Sequence, residues 1–369
     1  MIREGKIGFA EGFALLLISN IGKVFLSVPS NAVEQGKTMA WALILIVIVI
    51  TLLEFWLIAE LMKNFRDRTI VEASERILGP YLGTAVNLFF AFYFIAVMAV
   101  LLRSYSEAII TSALPRTPIS FLIITLTVGS IVSCWYGLES IARVARLSIP
   151  FIALGLIILC TAVLPEADPN NIFPLFSVAP VELFHHAIAR QSVITEGLLA
   201  ALLLPAFGGW RHFRRAGLLA VGTGGGLFLI IVFILTLVFG VQVSEEFMLP
   251  VYNLSRIIEF GRFFQRMESV FLLIWAMVGT IKMAVTLYGA NLVLARIFRL
   301  PDYRPLLWIT TLLCFSLSLL PADLMTALMI ESDIVRSYPG LAITLGLPFF
   351  LLVVAKFRKA GGETRDEAK

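Results

Sequence analysis

Long hydrophobic stretches with few polar interruptions run through nearly the whole chain. Segments 39–58, 121–133, 149–164 and 224–241 are almost free of charge. Because a helix needs about 20 apolar residues to cross a bilayer, the pattern predicts ten membrane-spanning helices. The predicted ranges are 7–29, 38–62, 82–113, 117–137, 147–164, 191–210, 216–241, 267–297, 305–320 and 339–355. A polar tail is predicted at 358–369.

Two of these spans are interrupted by a glycine next to a charge. The interruptions consist of Asn20, Ile21, Gly22 and Lys23 in the first span and of Thr195, Glu196 and Gly197 in the sixth. Pro29 and Pro205 follow at similar distances. A charge inside a membrane costs at least about 2.5–3.5 kcal/mol, and a broken helix leaves backbone groups that must line protein or water. The pattern therefore favours two broken helices that meet at a ligand site.

The two halves of the chain, 7–164 and 191–355, each hold five predicted spans, and each begins with an interrupted one. Because five is odd, the second half must enter the membrane from the opposite face. We therefore predict an all-α polytopic membrane protein with an amino-acid-transporter-like fold, built as a 5+5 inverted repeat with helices 1 and 6 broken. Residues 1–357 are expected to form a single membrane domain.

Composition supports a membrane protein and excludes several other classes. The 369 residues are 59% hydrophobic and 15% charged, with a mean hydropathy of +0.93, whereas soluble domains carry about 25% charged residues. The net charge of +4 does not indicate nucleic-acid binding, because the basic residues are scattered at span ends. The three cysteines lie in apolar spans and form neither a disulfide framework nor a metal-binding spacing. Without a catalytic motif, we expect neither an enzyme nor a cofactor.

The basic residues also predict an orientation. Most lie in the tails and loops that the span order places on one side of the membrane, which favours both termini in the cytoplasm. The basic residues assigned to the outer loops are Lys37, Arg103, Arg116, Arg190, Arg256, Arg262, Arg266 and Arg336. The first apolar run is not followed by a small-residue cleavage site, so it is interpreted as a span.

The two interruptions offer groups that suit a zwitterionic amino acid. Its carboxylate would lie at free N–H groups of the half-helices, and its ammonium near Glu196 or free carbonyls. Tyr93, within the aromatic run 89–94, is a candidate for the opposite wall. The alternative is structural: Gly22 and Gly197 allow close packing, Lys23 extends towards the surface, Glu196 is a satisfied interior acid, and the aromatic run is core or lipid-facing.

The eighth span carries a second pattern, a stripe that repeats every seven residues. Its members are Glu268, Trp275, Lys282, Gly289 and Arg296. Lys282 lies near the middle of the span and must find an acceptor inside the protein. One hypothesis is that its ammonium replaces the sodium ion that relatives of this fold hold beside the broken first helix. The other is a structural ion pair with Glu54, Glu139 or Glu196; Glu54 is either a proton-titrating group or an interior hydrogen-bonding acid.

The chain resembles a known family in several motifs. The eighth span follows the family pattern Arg-x-Glu, Ile-Trp, Lys and Leu-Tyr. The matching residues are Arg266, Glu268, Ile274, Trp275, Lys282 and Tyr288, with weaker matches at 250–256, 114–118, Glu72, 77–79, Glu196 and Pro205. In these residues the chain resembles the spore germination receptor B subunits, or endospore germination permeases, of the amino acid/polyamine/organocation transporter superfamily.

The resemblance implies ten spans in the inner membrane of a bacterial spore and recognition of a small germinant such as an amino acid. It also implies a complex with a membrane-bound A subunit and a lipoprotein C subunit. The chain departs from the family at Lys23, where an uncharged small-residue turn is common. An acidic or unusual ligand, or a pairing of Lys23 with Glu196, is therefore open.

Three functions are compatible with the sequence. The first is a germinant-sensing subunit that binds its ligand between helices 1 and 6. The second is an amino acid secondary transporter, with or without proton coupling, since one fold serves both. The third is a structural subunit that binds no ligand and anchors the A subunit.

Overall fold

Helices make up nearly all of the regular structure in the computed structural model, which describes residues 5–191, 196–258 and 267–358. The α-helices are α1 (Phe9–Ile21), α2 (Val28–Gly36), α3 (Ala40–Met62), α4 (Ile70–Leu78), α5 (Pro80–Ser112), α6 (Ile119–Tyr136), α7 (Leu138–Ala162), α8 (Pro180–Arg190), α9 (Gly197–Leu202), α10 (Trp210–Ser244), α11 (Pro250–Arg256), α12 (Met267–Ile297), α13 (Arg304–Ser318), α14 (Leu324–Met329), α15 (Tyr338–Leu341) and α16 (Leu347–Arg358). Two π-helical segments, Ile330–Val335 and Ala342–Gly346, connect the last three helices.

Seven helical stretches within the described ranges are long and apolar enough to cross a membrane. They are Val28–Met62, Pro80–Ser112, Ile119–Tyr136, Leu138–Glu166, Trp210–Ser244, Glu268–Ile297 and Tyr338–Arg358. Helices α1 and α13 are apolar but shorter. Several predicted boundaries differ; two examples are that α7 begins nine residues before the predicted start at 147 and that helical structure resumes at Leu324, well before 339. Both differences arise because charged residues at those helix ends lower the local hydropathy.

The connection between α1 and α2 is built from tight turns. The N–H of Val24 donates to the carbonyl of Ile21 at 3.0 Å, and the N–H of Leu26 donates to that of Lys23 at 3.1 Å. These three-residue spacings replace the four-residue spacing of an α-helix. Pro29 lies in the first turn of α2, where its missing N–H costs little. The chain thus leaves helical geometry at Gly22 and resumes it at Val28 within the protein interior.

Helix α9 is short and starts in the interior. Glu196 precedes it with a non-helical backbone (φ −124°, ψ 34°), and all six of its residues are buried. A 3₁₀ turn that contains Pro205 follows it. Residues 192–195, which include the predicted site residue Thr195, lie outside the described part of the chain.

Helices α1, α5 and α12 pack together at the centre of the molecule. Helix α1 contacts α7, α10 and α12, and α12 also packs on α5 and α6. The rings of Tyr105 on α5 and Trp275 on α12 lie 5.1 Å apart. A Cβ at Gly279 would clash with the Tyr105 ring, so glycine permits this approach. The contact brings the non-helical turn after α1 within reach of both neighbours.

A salt bridge joins helix α4 to the C-terminal end of α12. Thr69 and Glu72 form a capping box at the start of α4. The second oxygen of the same carboxylate accepts from Arg296 Nη1 on α12 at 2.7 Å. This salt bridge holds the last member of the seven-residue stripe at the surface end of α12.

Candidate functional site

One carboxylate inside the molecule is surrounded by three basic side chains. Glu196 Oε1 lies 3.0 Å from Lys23 Nζ, 2.9 Å from Lys282 Nζ and 3.9 Å from Arg336 Nη2. The three basic side chains are each 1% exposed and that of Glu196 is 11% exposed. Buried charges are tolerated only when they are paired in this way. We call Lys23, Glu196, Lys282 and Arg336 the charge cluster.

Lys282 links the last turn of α1 to the non-helical residue before α9. Its ammonium donates to the carbonyl of Ser19 at 2.5 Å as well as to Glu196 at 2.9 Å. Ser19 lies in the last turn of α1, where carbonyls lack a helical partner. One side chain of α12 therefore satisfies both the end of α1 and the residue before α9.

The backbone at Gly22 is held from two sides. Its carbonyl accepts from the Tyr105 hydroxyl at 2.6 Å. A Cβ on Gly22 would lie 2.7 Å from Lys282 Cδ, so glycine is needed for the lysine to pass. Lys23 points into the interior towards Glu196 and does not extend to the surface.

Arg336 belongs to this site although the sequence analysis assigned it to an outer loop. It is 1% exposed and directly follows the π-helical segment Ile330–Val335. Its Nη1 donates to the Tyr93 hydroxyl at 3.0 Å, and its guanidinium lies over the Tyr93 ring. The sequence analysis placed Arg336 in a loop because the charges at 331–336 interrupt the hydrophobic pattern, but the structure buries its side chain and continues Glu331 and Asp333 in the π-helical segment. Arg336 is far from Tyr93 and Glu196 in the sequence and lies near them only in the folded chain.

Other predicted residues lie around the charge cluster. Asn20 and Ile21 are buried and pack near Gly224 of α10. Gly197 is buried as the first residue of α9. Trp275 packs on Tyr105, whose hydroxyl donates to the Gly22 carbonyl.

The remaining predicted acid is buried, and the aromatic run of α5 has one exposed side and one buried side. Glu54 is fully buried on α3, whereas the acid that contacts Lys282 is Glu196. On α5, Phe89 and Phe92 are 64% and 65% exposed on the outside of the helix bundle. Tyr93, together with its buried neighbours, faces the interior. The aromatic run is therefore divided between an outward face and the wall near Arg336.

A cleft of about 550 Å³ adjoins the charge cluster. It lies among α2, α3, α8, α10 and the π-helical segment, and we call it the arginine cleft because Arg190 and Arg336 both line it. The Arg336 side chain is 1% exposed and that of Arg190 is 23% exposed, so they mark its inner and outer ends. The apolar walls come mainly from α2 and α3.

The sequence matches a family model described as spore germination protein over residues 6–326. The chain belongs to the spore germination protein family. Since this family assignment and the apolar helices agree, it is an integral membrane protein.

Two relatives from Bacillus subtilis (strain 168) match along the entire sequence. Spore germination protein KB is 23% identical over 377 residues, which cover 100% of both chains. Spore germination protein YndE is 24% identical over 360 residues, which cover 96% of this chain and 98% of the relative. Both matches therefore extend over nearly the whole length of this chain and of the relative.

Two solved transporter structures share the fold. MhsT in complex with L-phenylalanine has a TM-score of 0.67 at 15% identity and covers 96% of this chain and 90% of its own. Mhp1, a nucleobase-cation-symport-1 family transporter with bromovinylhydantoin bound, has a TM-score of 0.64 at 12% identity, covering 96% and 94%. These similarities show that the chain shares the overall fold of these two proteins.

Proposed function

We propose that this protein is the nutrient-sensing subunit of a spore germination receptor and that it binds a small germinant, an amino acid, between helices 1 and 6. The observation that carries the proposal is the charge cluster, in which Glu196 joins the turn after α1 to the start of α9. In a family of germination proteins with a transporter fold, a buried ionic site between two non-helical segments is the natural place for a ligand.

The fold that accompanies this proposal has ten spans in two inverted repeats. In it, α1 and α2 form the broken first span, and α8 and α9 form the broken sixth. Residues 7–164 and 191–355 are the repeats of a single membrane domain at 1–357, with a polar cytoplasmic tail. Both termini lie in the cytoplasm, the membrane is the spore inner membrane, and the arginine cleft opens to the outer side.

The partners in this proposal are an A subunit and a C subunit. A ligand shifts a complex only by its different affinities for two conformations. Since Lys282 connects α1, α9 and α12, a change at Glu196 is transmitted to three helices at once. That connection supplies a route from ligand binding to the partner subunits.

Germination of spores that carry single substitutions tests the proposal. Glu196→Gln removes the charge that holds two ammonium groups, and Gly197→Val adds a branched side chain at a buried helix start. Both are expected to raise the germinant concentration for half-maximal response about tenfold or more. Glu182→Gln, at an acid on α8 that is 63% exposed, is the matched control and should leave the response unchanged.

The amount of the A subunit in spore membranes distinguishes a sensing role of the site from a structural role that anchors the A subunit. If the two variants lose the response while A subunit levels stay normal, the site acts in sensing. Unchanged dose–response curves in both variants would remove the assigned site. A loss of response that always accompanies a loss of the A subunit would favour the structural role.

A secondary amino acid transporter is the second candidate, and the similarity to MhsT in complex with L-phenylalanine favours it. The two functions differ in turnover, because a transporter releases each solute on the other side and a sensor retains it. Measured solute flux across a membrane therefore separates them.

A further inference from the structure

The Glu196 carboxylate already has two ammonium partners inside the protein. Lys23 and Lys282 both lie within 3.0 Å of the same oxygen. An incoming ammonium group would have to displace a buried lysine, which leaves that charge unpaired at high cost. The amino group of an amino acid therefore needs another acid, and one lies in the arginine cleft.

Glu331 and Arg336 line the arginine cleft next to each other. In an α-helix, residues five apart differ by about 140° around the axis and face different sides. Here the N–H of Arg336 donates to the carbonyl of Glu331 at 2.8 Å, a five-residue turn that brings the two positions together. Such wide turns occur frequently at functional sites. The local backbone thus sets an acid and a base on the same wall.

The two side chains form an ion pair at the inner end of the arginine cleft. Glu331 Oε1 lies 3.9 Å from Arg336 Nε, which is longer than a direct hydrogen bond. Both side chains are buried, with relative exposures of 9% and 1%. A guanidinium binds a carboxylate in a bidentate manner, and a carboxylate binds an ammonium. The pair therefore has the complementary charges of an α-amino acid.

The rest of the arginine cleft suits an apolar side chain. Its walls include Val28, Ala32, Leu43, Ile44, Val47 and Phe228. An acid–base pair at the inner end and an apolar wall are what an amino acid with a hydrocarbon side chain requires.

We propose that Arg336 and Glu331 bind the carboxylate and the ammonium group of an amino acid with an apolar side chain in the arginine cleft. The inference rests on the proposed sensing function and specifies its ligand class. Arg336 also contacts Tyr93 and lies near Glu196. A carboxylate bound to Arg336 therefore changes the surroundings of the charge cluster, which connects the cleft to α9 and α12.

Binding measurements on the full-length protein in nanodiscs test the assignment. The probes are labelled L-alanine, L-valine, L-leucine and L-phenylalanine, each compared with its amide and with the corresponding acid that lacks the amino group. At least one amino acid is expected to bind about tenfold or more tightly than both of its analogues, because each analogue lacks one charge-assisted contact.

The variants assign each contact to a residue. Arg336→Gln should weaken binding of that amino acid about tenfold or more and abolish its advantage over the amide. Glu331→Gln should abolish the advantage over the deamino acid. Arg336→Lys keeps the charge and should retain part of the preference over the amide, and it replaces Arg336→Gln if the latter does not fold.

Arg103→Gln is the matched control. Arg103 is 6% exposed and pairs with Glu107 at 2.6 Å, as another buried arginine–glutamate pair outside the arginine cleft. It should alter stability without changing the preference for the zwitterion. A merely structural role of Arg336 would likewise lower stability and leave the analogue preferences intact.

Two results would overturn the inference. One is that the wild-type protein binds an amino acid no more tightly than its amide or the acid that lacks the amino group. The same holds if these differences in affinity persist in Arg336→Gln and Glu331→Gln. The other is that none of the four amino acids binds while spore germination still depends on Glu196. In that second case the sensing function is retained and only the ligand assignment is wrong. Unchanged germination in Glu196→Gln would instead show that the proposed sensing site is wrong.

Discussion

Lys282 of α12 donates a hydrogen bond to Glu196 at the start of α9 over 2.9 Å, deep inside the protein. The same ammonium reaches the carbonyl of Ser19. This single side chain serves as an ion-pair partner and as a cation at the end of α1. Of the three acids considered for Lys282, the structure pairs it with Glu196; that its ammonium also replaces a cation stays a prediction.

Replacing Lys282 by methionine should destabilise the protein. The substitution keeps the length of the side chain but leaves the Ser19 carbonyl without this donor and Glu196 with one ammonium fewer. Loss of one partner of a buried ion pair costs about 3 kcal/mol, so the Tm in nanodiscs should fall by several degrees. The exposed Lys63→Met is the control and should change the Tm little. Equal Tm values for both variants would show that the buried contacts contribute nothing.

Sodium should not stabilise this protein specifically. A cation that binds the folded state raises the Tm by mass action. The Lys282 ammonium already lies at the carbonyl of α1 where a sodium ion would bind in our proposal. Melting curves in sodium, potassium and choline chloride at equal ionic strength should coincide. A rise in Tm that is specific to sodium would contradict the proposal that the lysine replaces the cation.

Gly22→Ala should disturb the site, since the added Cβ would lie 2.7 Å from Lys282 Cδ. The lysine has to shift, which weakens its contacts with Ser19 and Glu196. We expect a lower Tm and a germination response that requires more germinant. Gly222→Ala on α10, where a Cβ meets nothing within 4 Å, should hold or raise the Tm because alanine favours helix. The reverse order of the two variants would argue against close packing at Gly22.

Arg190 should restrict access to the arginine cleft. Its Nη2 lies 3.5 Å from Asp333 Oδ1, and the Gln35 amide oxygen, when it faces the guanidinium, accepts from Arg190 Nη2 at 2.7 Å. A cysteine at Ser27, which lines the cleft, reports access through its rate of modification by a charged thiol reagent. In a background without the native cysteines, Arg190→Gln should raise that rate about fivefold, the factor for about 1 kcal/mol.

Arg256→Gln on α11 provides the comparison, because that arginine is exposed and stacks on Tyr252 away from the cleft. It should leave the modification rate at Ser27→Cys unchanged. If Arg190→Gln behaves in the same way, the contacts of Arg190 do not govern entry.

The sequence predicted much of the site because its signals were local. The glycine and charge at 22–23 mark the place where α1 ends, and the hydrophobic pattern predicted α12 at the bounds that are observed, 267–297. Arg336 was assigned to a loop because the charges at 331–336 lower the mean hydropathy, which suggested that a span does not include them. The π-helical turn that joins Arg336 to Glu331 does not follow the 3.6-residue period, so periodicity could not find it.

The partners of Glu196 show a second limit. The sequence offered three acids for Lys282, and all three lie in or near apolar spans. The choice of Glu196 depends on how α1, α9 and α12 pack, which is a long-range property of the fold. Composition and motif could place the lysine inside but could not select its partner.

Uptake by reconstituted liposomes distinguishes a protein that senses an amino acid from one that transports it. Purified protein is supplied with labelled apolar amino acids, and retained label is compared with the number of protein copies. For a sensor we expect saturable retention of about one label per protein, lost in Glu196→Gln and preserved in Glu182→Gln. Label that accumulates far beyond the number of protein copies would overturn the sensing role and identify a transporter.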